Sequence, residues 1–167
     1  DVLFQMMQYS DIIFGDQNEW EVASGVPHIP FEALDENYEI DKEAYLEYFR
    51  KMHKLFPKCK KMVMAVRNQI ASSHHTLSGL LYDSQEDKLY TTRIYDIQPI
   101  IDPMGVGDAF VAAYIHAHQK WGDENQYCLD FSLSASAIKN TIPGDQNLVS
   151  EEEIIHNMTS SGGRIQR

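Results

Sequence analysis

Apolar positions along the chain fall into short continuous runs and into longer stretches in which they recur every three or four residues. Two runs, 11–14 (DIIF) and 61–66 (KMVMAV), predict strands that are buried on both faces, which is typical of a parallel sheet. Residues 78–83 and 88–95 predict two further strands, which the polar turn 84–87 joins. We therefore expect a sheet of four strands.

The stretches with helical spacing lie between and after these strands. Asp41 is placed to cap a helix whose aromatic and Met side chains share one face. Ser150 and Glu153 form the capping-box pattern of the last helix. Helices are predicted at 18–23, 41–56, 106–121, 125–140 and from 151 onward. Because helices alternate with strands, the pattern predicts an α/β protein with a largely parallel sheet.

Two segments show neither pattern. Residues 24–40 contain Pro27 and Pro30 and predict a loop with helical pieces, whereas the Ser/Gly-rich segment 159–167 predicts a loose tail. The chain opens at Asp1, without Met and inside a helix-like stretch, so we expect a fragment of a longer protein.

Composition limits the classes of partner. The 167 residues carry 14 Lys and Arg against 25 Asp and Glu, a net charge of −11, so we expect neither a nucleic-acid partner nor an anionic membrane surface. A phosphorylated ligand stays open, since local geometry can hold an anion. Cys59 and Cys128 are interpreted as free thiols, and the histidines show no zinc-protease spacing. Without a signal segment or an apolar run of roughly 18 residues, we expect a cytoplasmic protein.

The segment 102–110 (DPMGVGDAF) combines features that suit phosphate chemistry. Gly105 and Gly107 stand where a helix begins, and the first amides of a helix have no internal partner and attract an anion. Asp108 follows in the first turn. A carboxylate repels a static phosphate, but it suits a base that takes a proton from an attacking hydroxyl.

The segment fits neither of two other nucleotide-binding motifs. A dinucleotide fingerprint needs Gly or Ala where Phe110 stands, and a Walker loop needs a Gly-Lys-Ser/Thr ending that is missing here. From the pattern alone, a glycine-rich helix start with a structural Asp remains an alternative.

The run DPMGVGDAF, continued by VAAY, resembles the second signature of the ribokinase-like (PfkB-type) sugar kinases. The resemblance implies that the amides of Gly105, Val106 and Gly107 form the anion hole and that Asp108 is the catalytic base. It also implies a three-layer α/β sandwich with a mainly parallel central sheet, and ATP and Mg²⁺ as cofactors.

A second resemblance lies upstream of this signature. Asp16 and Glu19 follow the first predicted strand where the family carries an Asn-x-x-Glu motif near magnesium and the phosphates, although Asp16 stands where Asn is usual. The resemblance implies that both carboxylates position Mg²⁺. The alternative is an acidic helix start that complements the helix dipole.

Residues 135–147 resemble the segment that closes the adenine pocket in the 2-keto-3-deoxygluconate kinase subgroup. A helix C-cap is the alternative role for Asn140, and a solvated charge is the alternative for Arg67. The residues that the resemblance places near the nucleotide are Arg67, Asn140, Thr141, Gly144 and Asp145.

The resemblance covers the second half of the family's usual length. We therefore expect the C-terminal half of a kinase that phosphorylates a sugar acid and forms a homo-oligomer when full length. The sugar-binding half and its lid lie outside this chain, so an exposed sheet edge or face is expected. The alternatives are a related kinase for another sugar or a nucleoside, and a non-catalytic nucleotide-binding or assembly module.

Overall fold

The computed structural model describes residues 2–29 and 39–160. Most of the predicted loop at 24–40 and nearly all of the predicted tail lie outside these residues. In chain order the elements are α1 (Val2–Met7), β1 (Ile12–Gly15), α2 (Gln17–Ser24), α3 (Lys42–Leu55), β2 (Lys61–Ala71), β3 (His74–Asp83), β4 (Lys88–Thr91), β5 (Tyr95–Ile97), α4 (Val106–Trp121), α5 (Asn125–Lys139) and α6 (Glu151–Thr159).

The five strands form one mixed sheet in the order β1-β2-β3-β4, with β5 also paired to β3. Among the described residues, β1 and β2 run parallel and the other three pairings are antiparallel. The prediction of a mainly parallel sheet was therefore wrong. The turn at 72–73 between β2 and β3 is short enough only for an antiparallel hairpin. An apolar run indicates that a strand is buried on both faces, but it does not indicate the direction of its neighbours.

The predicted strand at 88–95 is interrupted. β4 pairs with the second half of β3 and β5 with the first half. Between them, the Thr92 hydroxyl accepts a hydrogen bond of 2.9 Å from the Gly79 amide, and the Thr92 amide donates to the Gly79 carbonyl at 3.0 Å. Thr92 thus continues the pairing with its side chain where the ladder breaks.

Helices cover both faces of the sheet, which confirms the three-layer α/β sandwich. Side chains alternate along β2, so that Val63 belongs to a core formed with α4, α5 and α6. Met62, Met64 and Val66 belong to a second core formed with α2 and α3. A strand buried on both faces carries apolar residues at successive positions, which explains the run KMVMAV.

The helix ends that were predicted from local capping residues agree with the structure. The Asp41 carboxylate accepts from the Ala44 amide at 3.0 Å at the start of α3. Ser150 and Glu153 form a complete capping box on α6. α4 begins and ends at the predicted residues, with Gly122 as its C-cap.

Strand β1 is an edge of the sheet within the described residues, since β2 is its one neighbour there. The helices on either side of β1 in the chain expose apolar side chains, with Val2 at 72%, Met6 at 64% and Val22 at 83% exposure. An exposed edge or face was expected. Within the described residues, no helix is long and apolar enough to cross a membrane.

A buried charged cluster ties β2 and β3 to the start of α5. The Lys61 ammonium donates to Asn125 at 2.6 Å and to Asp123 at 2.7 Å, and it lies 3.7 Å from the Asp83 carboxylate. The Asn125 amide donates to Asp83 at 2.8 Å. The side chains of Lys61 and Asp83 are each only 6% exposed, whereas that of Asp123 is 83% exposed.

Substitution of Asp83 by Ala is expected to lower the free energy of unfolding by about 3 kcal/mol, because it leaves a buried ammonium without its buried counter-charge. Asp123→Ala removes an exposed carboxylate from the same ammonium and is expected to cause only a small loss. Urea denaturation of both variants measures the difference. Equal losses would contradict the importance of burial at this cluster.

Candidate functional site

A cleft of about 490 Å³ opens where β1 ends and α4 begins, beside the middle of β2. The carboxyl end of β1, residues 65–67 of β2 and the amino end of the helix meet at this place. The cleft collects four charged side chains and the first turn of α4. Of the predicted site residues, those that line it are Asp16, Glu19, Arg67, Val106, Gly107 and Asp108.

The first turn of α4 is built to leave its amides free. Its N-cap is Gly105, which has no side chain, so no side-chain hydrogen bond caps this helix. The amides of the first turn have no partner inside the helix, and the helix dipole adds partial positive charge there. This helix start can therefore bind an anion such as a phosphoryl group.

Gly105 is restricted to glycine for two reasons. Its φ of 71° lies in the left-handed region. A Cβ atom at this position would lie 2.2 Å from the Asp145 carbonyl oxygen and 2.8 Å from its Oδ1. At Gly107, by contrast, a Cβ would meet no atom within 4 Å, so this residue opens directly to the cleft.

Asp102 joins the signature segment to the turn that contains Gly144. Its carboxylate accepts from the Gly144 amide at 2.8 Å and from the Met104 amide at 3.0 Å. The hydrogen bonds from Met104 and then Gly144 lower the pKa of this carboxyl, and the Lys139 charge adds to the effect. Asp102 is therefore a structural anion that holds two loops together.

Asp108 is exposed at the cleft. Its carboxylate makes no hydrogen bond with the described residues, so both oxygens are open to a substrate hydroxyl. Since it lies in the same helical turn as the free amides, a group bound by those amides sits beside it.

Asp16 and Glu19 form a capping box at the start of α2. Asp16 Oδ1 accepts from the amides of Asn18 and Glu19 at 2.8 and 2.9 Å, and Glu19 Oε2 accepts from the Asp16 amide at 2.9 Å. The two residues thus cap the helix, as the alternative interpretation predicted. Capping uses only one oxygen of each carboxylate. The other two oxygens remain for a ligand in the cleft.

The carboxylates of Asp16 and Glu19 could bind Mg²⁺, but they are too few to form a closed metal site made of protein ligands alone. No group of three or more His, Cys, Asp or Glu residues that could hold a metal occurs among the described residues. Mg²⁺ usually binds to one or two carboxylates and completes its shell with water and phosphate oxygens. Asp16 and Glu19 match this coordination pattern, and they line the same cleft as the uncapped start of α4.

Gly15 makes room for Trp20 beneath the cleft. A Cβ on Gly15 would lie 2.2 Å from the indole Nε1 of Trp20. Trp20 itself is 2% exposed and packs against Tyr48 and Phe49. The side wall of the cleft therefore rests on the aromatic core of α2 and α3.

The structure does not bring every predicted residue to the cleft. Asn140 is 2% exposed and its side chain donates to the Ser136 carbonyl at 3.0 Å, as the C-cap of α5. The Thr141 hydroxyl donates to the Ile138 carbonyl at 2.7 Å. Gly144 and Asp145 lie beside the signature loop, through their contacts with Asp102 and Gly105.

Sequence reasoning missed Ser136, which lines the cleft and donates to the Val106 carbonyl at 3.1 Å. One turn earlier, the Ser132 hydroxyl donates to the Phe110 carbonyl at 2.5 Å. A signal was present, because Ser132, Ser136 and Asn140 recur every four residues along α5 and its C-cap and so share one face.

The architecture is that of the PfkB-type carbohydrate kinases, which confirms the resemblance of the sequence. This chain superposes on the 2-dehydro-3-deoxygluconokinase from Thermotoga maritima with a TM-score of 0.80 at 26% sequence identity. The match covers 95% of this chain and 44% of that kinase. A PfkB family carbohydrate kinase from Listeria grayi gives 0.74 at 25% identity, over 93% and 43%.

More distant kinases share the fold. A ribokinase from Arabidopsis thaliana, solved with ribose and ATP, gives a TM-score of 0.62 at 17% identity, over 95% of this chain and 44% of that one. The chain thus spans less than half the length of these kinases. Neither protein-family models nor curated protein sequences match it.

Proposed function

We propose that this chain is the C-terminal, nucleotide-binding and catalytic half of a kinase that phosphorylates the terminal hydroxyl of 2-keto-3-deoxygluconate with ATP. The observation that carries the proposal is the cleft, in which the uncapped start of α4, the open carboxylate of Asp108 and the pair Asp16 and Glu19 face one another. The similarity to kinases of that name and class supports it.

In this mechanism Asp108 accepts the proton of the sugar hydroxyl, whose oxygen forms a bond to the γ-phosphorus of ATP. The bond from that phosphorus to the bridging oxygen breaks, and its electron pair leaves with ADP. The amides of Gly105, Val106 and Gly107 stabilise the charge on the phosphoryl oxygens. Asp108 later gives its proton to water, so the residue is restored.

Asp16 and Glu19 would hold Mg²⁺, directly or through water. The metal, when bound, neutralises phosphate charge. The Thr141–Gly144 turn and Asp145 would border the nucleotide, and Arg67 would lie close to it. Asn140 would act through its carbonyl, which accepts from the amides of Ile101 and Asp102 at 2.8 and 3.2 Å and so positions the signature loop.

The test is ADP release by the full-length protein with 2-keto-3-deoxygluconate, ribose, fructose and adenosine, each with Mg²⁺ and ATP. We expect turnover with the keto-deoxy acid alone, in a cytoplasmic reaction without nucleic acid or membrane. Turnover with another acceptor would keep the mechanism and replace the substrate. No turnover, together with nucleotide binding, would favour a non-catalytic module.

Asp16→Asn tests the role of the acidic pair. Asn caps helices as well as Asp does, so the free energy of unfolding should stay the same. The loss of one metal-facing charge should raise the Mg²⁺ concentration for half-maximal activity by about 10-fold. A magnesium titration of wild type and variant measures this shift, and an unchanged midpoint would restrict Asp16 to helix capping.

A further inference from the structure

Arg67 is the one cation among the residues that line the cleft in the described part of the chain. The same cleft presents three carboxylates, those of Asp16, Glu19 and Asp108. A nucleotide polyphosphate that entered here would meet like charges at short range, which costs energy in a partly enclosed site. A metal ion held by Asp16 and Glu19 would offset part of this repulsion, and the guanidinium of Arg67 would offset a further part.

The guanidinium of Arg67 is uncommitted, unlike those of the other described arginines. Arg50 donates two hydrogen bonds to Asp87, at 2.9 and 2.6 Å. Arg93 donates to the Ser160 carbonyl at 2.6 Å and to the Tyr95 hydroxyl at 2.8 Å. Arg67 is exposed and forms no hydrogen bond or ion pair with any described residue. All five of its N–H groups are available to a ligand.

The strand places Arg67 on the side of the sheet that faces α4. Residues two apart in a strand share a face, and Val63 and Ala65 both pack in the core beneath α4 and α5. Arg67 continues this row and is paired with Leu77, which also lines the cleft. Its side chain therefore enters the cleft on the same side as Gly107 and Asp108.

Arg67 also lies beyond the end of the neighbouring strand. β1 ends at Gly15, which is paired with Met64, so Arg67 is three residues or about 10 Å farther along β2. Among the described residues, no ion pair joins the guanidinium to the carboxylates that cap α2.

We propose that Arg67 donates hydrogen bonds to the oxygens of the phosphoryl group that is transferred, and is in this sense a catalytic residue. The inference rests on the proposed kinase function. As the acceptor oxygen bonds to phosphorus and the bond to ADP breaks, charge on the phosphoryl oxygens is shared between the α4 amides and the guanidinium.

This role differs from that of a nucleotide anchor. An arginine on the α- or β-phosphate would contribute equally to the binding of ADP and of an ATP analogue. An arginine on the transferred group contributes to the analogue and not to ADP, and it contributes most when charge spreads in the transition state.

The experiment compares Arg67→Gln and Arg67→Lys with the wild type and with Arg50→Gln, which removes the same charge outside the cleft. Kinetics of the full-length protein and calorimetric binding of ADP and of AMP-PNP, both with Mg²⁺, are the two readouts. For Arg67→Gln we expect kcat to fall about 100-fold, and the preference for AMP-PNP over ADP to fall about 10-fold. Arg67→Lys should lie between, since it keeps the charge and loses the planar fork.

Each outcome decides the question. An equal loss of affinity for both nucleotides, or an unchanged kcat in a folded Arg67→Gln protein, would overturn this role and leave the proposed function in place. A wild type that binds neither nucleotide would overturn both proposals. A wild type that binds both, but is inactive on every acceptor, would overturn the kinase function, and the role of Arg67 in transfer with it.

Discussion

Asp108→Asn is expected to lower kcat of the full-length protein by roughly 1,000-fold while the affinity for ATP stays within about twofold of the wild type. The amide keeps the size of the carboxylate but cannot accept the proton of the attacking hydroxyl. Because Asp108 is exposed and makes no hydrogen bond with the described residues, its replacement should leave the fold intact. Steady-state ADP release and calorimetric titration measure the two quantities.

Glu152→Gln is the matched control for this variant. Glu152 is also an exposed carboxylate in the first turn of a helix, but it lies on α6, outside the cleft. The Glu152→Gln variant should retain the kcat of the wild type. If Asp108→Asn retained substantial turnover, Asp108 would not be the base, and the proposed mechanism would be wrong even if the protein were a kinase.

The second large effect is a contrast between two glycines two positions apart. Gly105→Ala should lower the free energy of unfolding by about 2–4 kcal/mol, since it forces Ala into a left-handed conformation and places a methyl group 2.2 Å from the Asp145 carbonyl oxygen. In a domain of this size that loss corresponds to a fall in Tm of roughly 5–15 °C.

Gly107→Ala should behave in the opposite way. A methyl group meets no atom within 4 Å, and Ala is favoured over Gly inside a helix, so stability should stay equal or rise by up to about 1 kcal/mol. The methyl group would instead occupy space in the cleft next to the amides that we propose bind phosphate. We expect at least about 10-fold weaker nucleotide binding, since displaced hydrogen bonds to charged groups are worth about 1.5–3 kcal/mol each.

Thermal denaturation and calorimetric titration of both variants measure this contrast. If Gly105→Ala were as stable as the wild type, the close contact with Asp145 would not exist in solution. If Gly107→Ala bound nucleotide normally, the ligand would not approach the first turn of α4.

Local signals allowed much of the fold to be predicted. The bounds of α4 are set by Gly105 and Gly122, and the starts of α3 and α6 by the side chains of Asp41 and Ser150, all of which act within four residues. Strand direction depends on which segments meet across the sheet. The apolar run in β2 is equally compatible with a parallel or an antiparallel neighbour, and the structure has one of each.

The same distinction applies to the candidate site. The uncapped, glycine-rich start of α4 and the acidic pair at α2 are local patterns, and both were visible in the sequence. That Asp16, Arg67 and Asp108 share one cleft is a result of tertiary packing that spacing does not reveal. The side chain of Asn140 does not reach the cleft because it lies at the buried C-cap of α5. There it donates its hydrogen bond to the Ser136 carbonyl of the same helix.

The position of Trp20 should allow ligand binding in the cleft to be detected by tryptophan fluorescence. Its indole is buried directly under Gly15. The other tryptophan, Trp121, is at the far end of α4, about 22 Å along the helix axis from Val106, among Tyr127, Phe131 and His116. A charged ligand that binds beside Gly15 changes the electric field at one indole and leaves the other as an internal reference. Occupancy of the cleft can therefore be followed by intrinsic fluorescence, without a label and without turnover.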